Sequence, residues 1–263
     1  MTNPSVWRNP YLIRLMVLGI GCFIAPWFSP MDPLAINDTA MLAAPSWHHW
    51  LGTDHFGRDI LSRILAGSRQ TVGLAFVAVF IAAVLGSLLG IAAALGTRWG
   101  DLLLGRLFDG LYCFPDILVA LAIVAVLGPG DTNIVFALAV VYVPIFGRVT
   151  RARVLTIRSS DFVTAARATG SPKLRIVFRH IIPVLSHTIL AQFGLCVGFA
   201  ILAQAALSYL GVAGQPDQPA WGIMVKDGVD WLEHAWWASV FPGLAITLAV
   251  LLVQWDSELS KDR

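Results

Sequence analysis

The sequence predicts an all-α membrane protein with about six transmembrane helices and a cytoplasmic N-terminus. Three observations lead there. Of its 263 residues, 57% are hydrophobic and only 13% charged, against about 25% charged in soluble domains, and the mean hydropathy is +0.73. Several apolar runs reach the ~20 residues that a helix needs to cross a bilayer. The positive charge is also lopsided. With six spans and the N-terminus inside, fourteen of the eighteen Lys and Arg residues fall on the cytoplasmic side, as the positive-inside rule requires. Arg58, Arg63, Arg69 and Lys226 remain outside. Ten tryptophans, several near the ends of apolar runs, fit interfacial anchoring.

Residues 1–10 are a polar tail, and 11–28 form the first span, flanked by Arg8 and Arg14. A basic stretch before an apolar run also describes a signal peptide; an uncleaved span is expected because nothing soluble follows. Residues 29–69 form an external segment containing H-H-W-L-G-T-D-H-F-G-R-D-I-L-S-R (48–63). Gly52 and Gly57 suggest a turn. Asp59 to Gly67 reads as an amphipathic helix with Ile60, Ile64 and Leu65 on one side and Arg63 one turn after Asp59. His48, His49 and His55, with Asp54 and Asp59, are candidate metal ligands, but their spacing matches no closed site, so loop and interfacial roles are expected.

Residues 70–256 hold five further spans. The run Thr71–Gly96 carries Gly86 and Gly90 in G-x-x-x-G spacing, which lets two helices approach closely. A short loop to Arg106 precedes a span over 107–127. Asp109 and Asp116 lie in or near it, and carboxylates at membrane depth are functional candidates by default. The alternative places Asp109 at the interface near Arg106 and has Asp116 cap a helix restarted at Pro115. Gly128–Asp131 is a tight turn, and 132–147 is a short apolar run broken by Pro144. After the basic cytoplasmic loop 149–187, a span over 188–210 carries Gln192, Gln204 and Ser208, which should face other helices or water. Gln204 is a candidate for lining a transport path, or else helix–helix glue. Polar residues 211–237 lead to a last span over 238–253, and 257–263 form a cytoplasmic tail.

The basic loop has its own punctuation over Ser160–Pro183. Ser160 or Asp161 can cap a helix, with Phe162, Ala165, Ala166 and Thr169 on one face. Gly170 suits a left-handed helix end. Ser171-Pro172 then restarts a helix, whose apolar face is Leu174, Val177, Phe178 and Ile181, with Lys173, Arg175 and Arg179 elsewhere. Helix, glycine turn and helix make a knob fit to dock on a partner.

A-A-R-A-T-G (165–170) followed by R-I-V-F-R-H-I-I-P (175–183) resembles the cytoplasmic coupling segment of bacterial ABC importer permeases. L-G-T-D-x-x-G-R-D-x-x-S-R (51–63) resembles the segment after the first span in the peptide, opine and nickel branch, in the second of its two paired permeases. Asp109 with Phe114-Pro115, and L-S-Y-L-G (207–211) before W-G, are similar to that branch as well. The resemblance implies the type I ABC importer permease fold with a coupling helix, and it assigns ATPase coupling to Asp161, Thr164, Ala165, Ala166, Arg167 and Gly170. Two departures stand out: Thr164 replaces the pattern's Glu, and the tail from Trp255 differs from the family's usual ending. Asp109, Asp116, Gln192 and Gln204 are the path candidates. The implied partners are a second permease, two ATPase domains, an extracytoplasmic binding protein and the bilayer, with no nucleic acid. The implied cargo is a di- or oligopeptide, with nickel or a metal–opine complex as the alternative.

The chain is not expected to be an enzyme. No G-x-x-x-x-G-K-[ST] occurs, and the lysines are only Lys173, Lys226 and Lys261, so no P-loop can hold ATP phosphates. Any ATP and Mg would be bound by partners, and no cofactor is expected here. Ser and His residues are scattered over both sides of the membrane without a nucleophile–base pair. Cys22, Cys113 and Cys196 lack metal spacing and read as buried thiols. An ion-driven transporter working through Asp109 or Asp116 is the remaining alternative.

Overall fold

The structure is a computed structural model describing residues 10–212 and 218–254. Both terminal tails, including the divergent ending, lie outside the described residues. Where described, the chain is helical: α1 Pro10–Ile24, α2 Ile60–Ser68, α3 Leu74–Leu95, α4 Arg98–Tyr112, α5 Asp116–Leu127, α6 Asp131–Arg158, α7 Asp161–Ala168, α8 Lys173–Ile176, α9 Ile182–Tyr209, α10 Trp221–Val229 and α11 Trp237–Gln254. Thr53 and Asp59 form an isolated β-bridge. In lipid a helix satisfies its own backbone, which is why these apolar runs take this form.

Four helical stretches are long and apolar enough to span: Ile60–Leu95, Asp131–Arg158, Leu174–Tyr209 and Trp237–Gln254. The pair α4–α5, bent by 92°, counts as a fifth if it is one broken span. The apolar helix Ile13–Phe28, which ends in a 3₁₀ turn at Pro26, is shorter and makes the sixth apolar helix. The two 36-residue stretches are about 54 Å long at 1.5 Å per residue, well beyond a ~30 Å core, so their ends stand out of the membrane. π-Turns at Arg69–Gly73 and Val177–Ile181 join α2 to α3 and α8 to α9 without a break.

Two boundaries differ from the sequence reading, and a third follows its alternative. The span over 107–127 is broken at Cys113–Pro115, where that alternative restarts a helix, because proline brings no N–H and pushes the preceding residue out of the α region. Pro144 does the opposite: it is buried inside an unbroken α6, where neighbouring helices hold the backbone across one missing hydrogen bond. The loop 149–187 is mostly helix, since α6 runs on to Arg158 and the next helical stretch starts at Lys173. Cys113 is exposed at the α4–α5 break, whereas Cys22 and Cys196 are buried as expected.

α3 and α6 form the centre of the bundle. A Cβ added at Gly86 would lie 2.5 Å from the Val143 carbonyl oxygen, and one at Gly90 would lie 2.5 Å from that of Gly147. Gly147 in turn faces the Phe108 ring, which an added Cβ would meet at 2.4 Å. Three glycines thus set α3, α6 and α4 side by side. The main apolar core surrounds this seam, with Ala78, Ala82, Leu138, Phe146, Val197 and Ile201 among its buried residues. A smaller cluster of Ala94, Val154, Ile157, Val163, Ile176, Ile181 and Leu185 fills the cytoplasmic end.

Substituting Gly90 by Val should force α3 off α6, destabilising the protein by about 1–3 kcal/mol as an overpacked core does. Gly105→Ala on α4 is the control, since nothing lies within 4 Å of its new Cβ. Thermal stability of the detergent-extracted protein, read by monodispersity, checks the contrast.

Candidate functional site

The cytoplasmic knob is built from its caps outward. Ser160 is the N-cap of α7, but its hydroxyl donates back to the Ile157 carbonyl (2.6 Å) instead of capping α7. At the other end Gly170 has φ +77°. The Gly170 N–H donates to the Arg167 carbonyl (2.9 Å) and the Ser171 N–H to that of Ala166 (3.1 Å). This paired closure of a helix end is the Schellman motif, which needs a left-handed residue at the glycine's position. Asp161 in the first turn and Arg167 in the last both oppose the helix dipole favourably.

Which face is buried differs from the stripe read in the sequence. Val163 is fully buried, Ala166 packs behind it, and Phe162, Ala165 and Thr169 face outward. In the second helix the expected stripe splits, with Val177 and Ile181 turned inward as expected and Leu174 and Phe178 turned out. Ile176 and Ile181 point into the cytoplasmic cluster while Leu174 and Phe178 are about 70% exposed, at 72% and 68%. The cause is the π-turn at Val177–Ile181: its five-residue repeat brings positions 176 and 181 onto one face. Pro172 also precedes the helical stretch instead of opening it. The outward surface therefore combines Phe162, Leu174 and Phe178 with Thr164, Ala165, Arg167, Gly170, Arg175 and Arg179. Thr164 donates its hydroxyl to the Ser160 carbonyl (3.1 Å), so no charge stands at that position.

Below the knob, α4 and α6 enclose a cleft of about 430 Å³ lined by residues including Asp101, Arg106, Asp109, Arg148 and Arg151. Arg151 grips Asp101 with two hydrogen bonds, the Nη2 one at 2.7 Å. Arg158 donates to the Ala94 carbonyl (2.8 Å), closing the C-terminal end of α3. Asp109 pairs with Arg148 at 3.2 Å rather than with Arg106, and Arg148 lies over the Tyr112 ring. Asp116 opens α5 one residue after Pro115, which occupies the N-cap position without a side-chain bond. The structure does not gather all four path candidates in one place. Asp109 and Asp116 flank the α4–α5 elbow, Gln192 donates to Cys196 Sγ (3.4 Å) on α9, and Gln204 lies near the other end of α9.

The external motif folds into a knot of its own. Asp54 accepts from the N–H groups of Phe56 and Arg58, both at 2.9 Å, and from Arg58 Nε at 2.7 Å. It also faces Arg63 at 3.5 Å. Arg63 is 2% exposed, so it is a core residue and not the outward partner of Asp59 that helix spacing suggested. Asp59 caps α2 through Ser62 N–H (2.8 Å), takes the Ser62 hydroxyl (2.7 Å), and meets His49 Nδ1 at 3.0 Å. Thr53 donates to Ala40, and the Trp237 indole donates to the Thr53 carbonyl. Gly57, at φ +71°, leaves room for the Asn37 carbonyl, 1.9 Å from where its Cβ would stand. His55 stacks on Trp231 and His48 is exposed. Among the described residues no group of three or more His, Cys, Asp or Glu side chains converges as a metal site.

Asp54→Ala should leave Arg58 and Arg63 buried without their carboxylate. Removing one partner of a buried ion pair destabilises by about 3–5 kcal/mol, so the variant is expected to fall out of the membrane fraction on mild heating. Asp38→Ala, at an exposed turn, should not.

Residues 86–256 match the protein family described as binding-protein-dependent transport system inner membrane component. The chain is 43% identical over 262 residues to the dipeptide transport system permease protein DppC of Alkalihalophilus pseudofirmus, covering 95% of this chain and 86% of that one. It is 38% identical to the di/tripeptide transport system permease protein DppC of Pseudomonas aeruginosa, covering 92% and 82%. It is 36% identical to the probable D,D-dipeptide transport system permease protein DdpC of Escherichia coli, covering 95% and 83%. A helical bundle with long apolar spans, a knob carried on two of them, and likeness over most of its length place this chain in the family of binding-protein-dependent inner-membrane permeases, with the type I importer fold.

Proposed function

We propose that the chain forms, with a second permease of its kind, the path by which di- and oligopeptides cross the bacterial inner membrane. An extracytoplasmic binding protein delivers the cargo, and two ATPase domains that hold ATP and Mg supply the energy. The observation that carries the coupling role is the outward face of the knob. α7 is fixed from behind by Val163, closed at its C-terminal end by the Gly170 turn, and presents Phe162, Ala165 and Arg167 to whatever docks there. The peptide cargo is supported by the relatives, whose names specify peptide transport. The metal alternative finds no support in the histidines, since among the described residues no group of three or more His, Cys, Asp or Glu side chains converges.

Force applied to α7 reaches the spans through two routes. α6 enters the knob directly, and α8 continues through the π-turn into α9. Val163 keys α7 to both through the cytoplasmic cluster. A tilt of α7 thus moves α6 and α9 together, and rocking the bundle between inward-open and outward-open is the motion an importer needs. With Thr164 in place of a carboxylate, docking rests on shape, backbone and the arginines. Asp109, Asp116 and Gln192 are assigned to the path on position alone.

Uptake in a strain lacking this chain tests the cargo: labelled dipeptide uptake should be lost and nickel uptake retained, and the reverse would overturn the peptide reading. Gly170→Val tests the coupling. No atom lies near its Cβ, but valine disfavours φ +77°, so the Schellman closure should distort while folding and insertion persist. Peptide transported per ATP hydrolysed should drop roughly tenfold, the equivalent of about 1.4 kcal/mol. Unchanged coupling in this variant removes α7 from the transmission.

A further inference from the structure

Buried polar side chains in this chain are satisfied almost everywhere. Thr53, Asp54, Arg58, Asp59, Ser62 and Arg63 bond within the external knot, Thr71 accepts from Trp221 N–H, Ser68 donates to Cys22 and Leu65, Thr150 meets Ser87, and Ser239 donates to Val225. Two residues break the pattern. Gln204 and Ser208 are both 0% exposed. Gln204 Nε2, Gln204 Oε1 and Ser208 Oγ have no partner among the described residues. They stand four residues apart, on one face of α9, near its external end.

Among the described residues neither side chain bridges two helices, so the reading of Gln204 as glue finds no partner here. What covers them is known in part. α10 lies on α9 here through a glycine: a Cβ on Gly222 would stand 2.0 Å from the Ala205 carbonyl oxygen and 2.8 Å from Ser208 Cβ. α10 itself hangs from α2 and the π-turn after it, by Trp221 Nε1 to the Ile64 carbonyl (2.8 Å) and by its N–H to Thr71 Oγ1 (3.1 Å). A donor–acceptor pair shut in without partners is unfavourable, so a conformation that supplies partners is favoured by the same amount.

We propose that Gln204 and Ser208 bind the peptide bond of the cargo at the outer end of the path, and that α10 covers them in the conformation described. The proposal rests on the peptide-permease reading above. The chemistry is complementary: a carboxamide offers one acceptor and two donors, and a peptide bond offers one donor and one acceptor. Both residues are uncharged, so the contact reads backbone and ignores side chains, as transport of varied peptides demands. A site built for hydrogen bonding discriminates against analogues that lack the bond.

The test compares a dipeptide with its counterpart methylated on the peptide nitrogen. Maximal uptake rates are measured in the full complex with saturating binding protein, so that differences in the binding protein's affinity drop out. In the wild-type chain, methylation should lower the rate about tenfold. In Gln204→Leu the unmodified dipeptide should fall to the methylated level, so that the penalty vanishes while the thermal stability of the protein holds or rises. An equal methylation penalty in both chains overturns the site. Should the leucine variant fail to accumulate, Ser208→Ala carries the same comparison, with the penalty expected to shrink about threefold and an undiminished penalty again overturning the site. Failure of the wild-type chain to support any dipeptide uptake would instead overturn the peptide reading itself.

Discussion

Everything in this bundle depends on how closely α3 can approach α6. Water drives helices together in soluble proteins, but lipid tails are as apolar as leucine, so inside a bilayer close packing must supply the attraction. Gly86 and Gly90 let the backbone of α3 rest on the carbonyls of Val143 and Gly147, and Gly147 receives the Phe108 ring from α4. With that seam in place, the long ends of α3 and α6 are fixed relative to each other. The cytoplasmic end of α6 then carries the Arg158–Ala94 bond to α3 and the Arg151–Asp101 pair to α4, which lie too near the surface to hold helices together alone.

The knob follows from the same rigidity. Long helices that outrun the membrane would be of little use if their ends frayed. Here the ends of α6 and α9 share a second small core, and α7 is keyed into it by one side chain. The face left outside keeps two phenylalanines and a leucine exposed among arginines, a composition that suits an interface better than bare solvent.

Much of this was legible in the sequence. Length and hydropathy located the spans, the G-x-x-x-G pair located the seam, and Ser160, Gly170 and Pro172 bracketed the knob to within a residue. What escaped notice had physical causes. A helical wheel assumes 3.6 residues per turn, so the π-turn at Val177–Ile181 reversed the face assignment of Leu174 and Phe178. In α7 two apolar stripes compete, and tertiary packing chose Val163 over Phe162. Pro115 and Pro144 look alike in sequence, but one breaks a helix at an exposed elbow and the other is held inside a packed one. Helix spacing pairs Arg63 with Asp59, because its actual partner Asp54 lies across a turn rather than one helical turn away. Gln204 was singled out by its residue type in an apolar run, but only coordinates could show that it and Ser208 are unpartnered.

The external knot has a consequence for where cargo is chosen. Nearly every side chain that makes L-G-T-D-x-x-G-R-D-x-x-S-R recognisable is engaged within the knot: Thr53 with Ala40, Asp54 with Arg58 and Arg63, and Asp59 with Ser62 and His49. None of these groups is left over to discriminate a nutrient. The most distinctive signature in the chain therefore serves architecture and says nothing about diet. On the proposed function, the choice of cargo falls to other parts of the importer, and this knot serves as the fixed frame at the external end of the bundle.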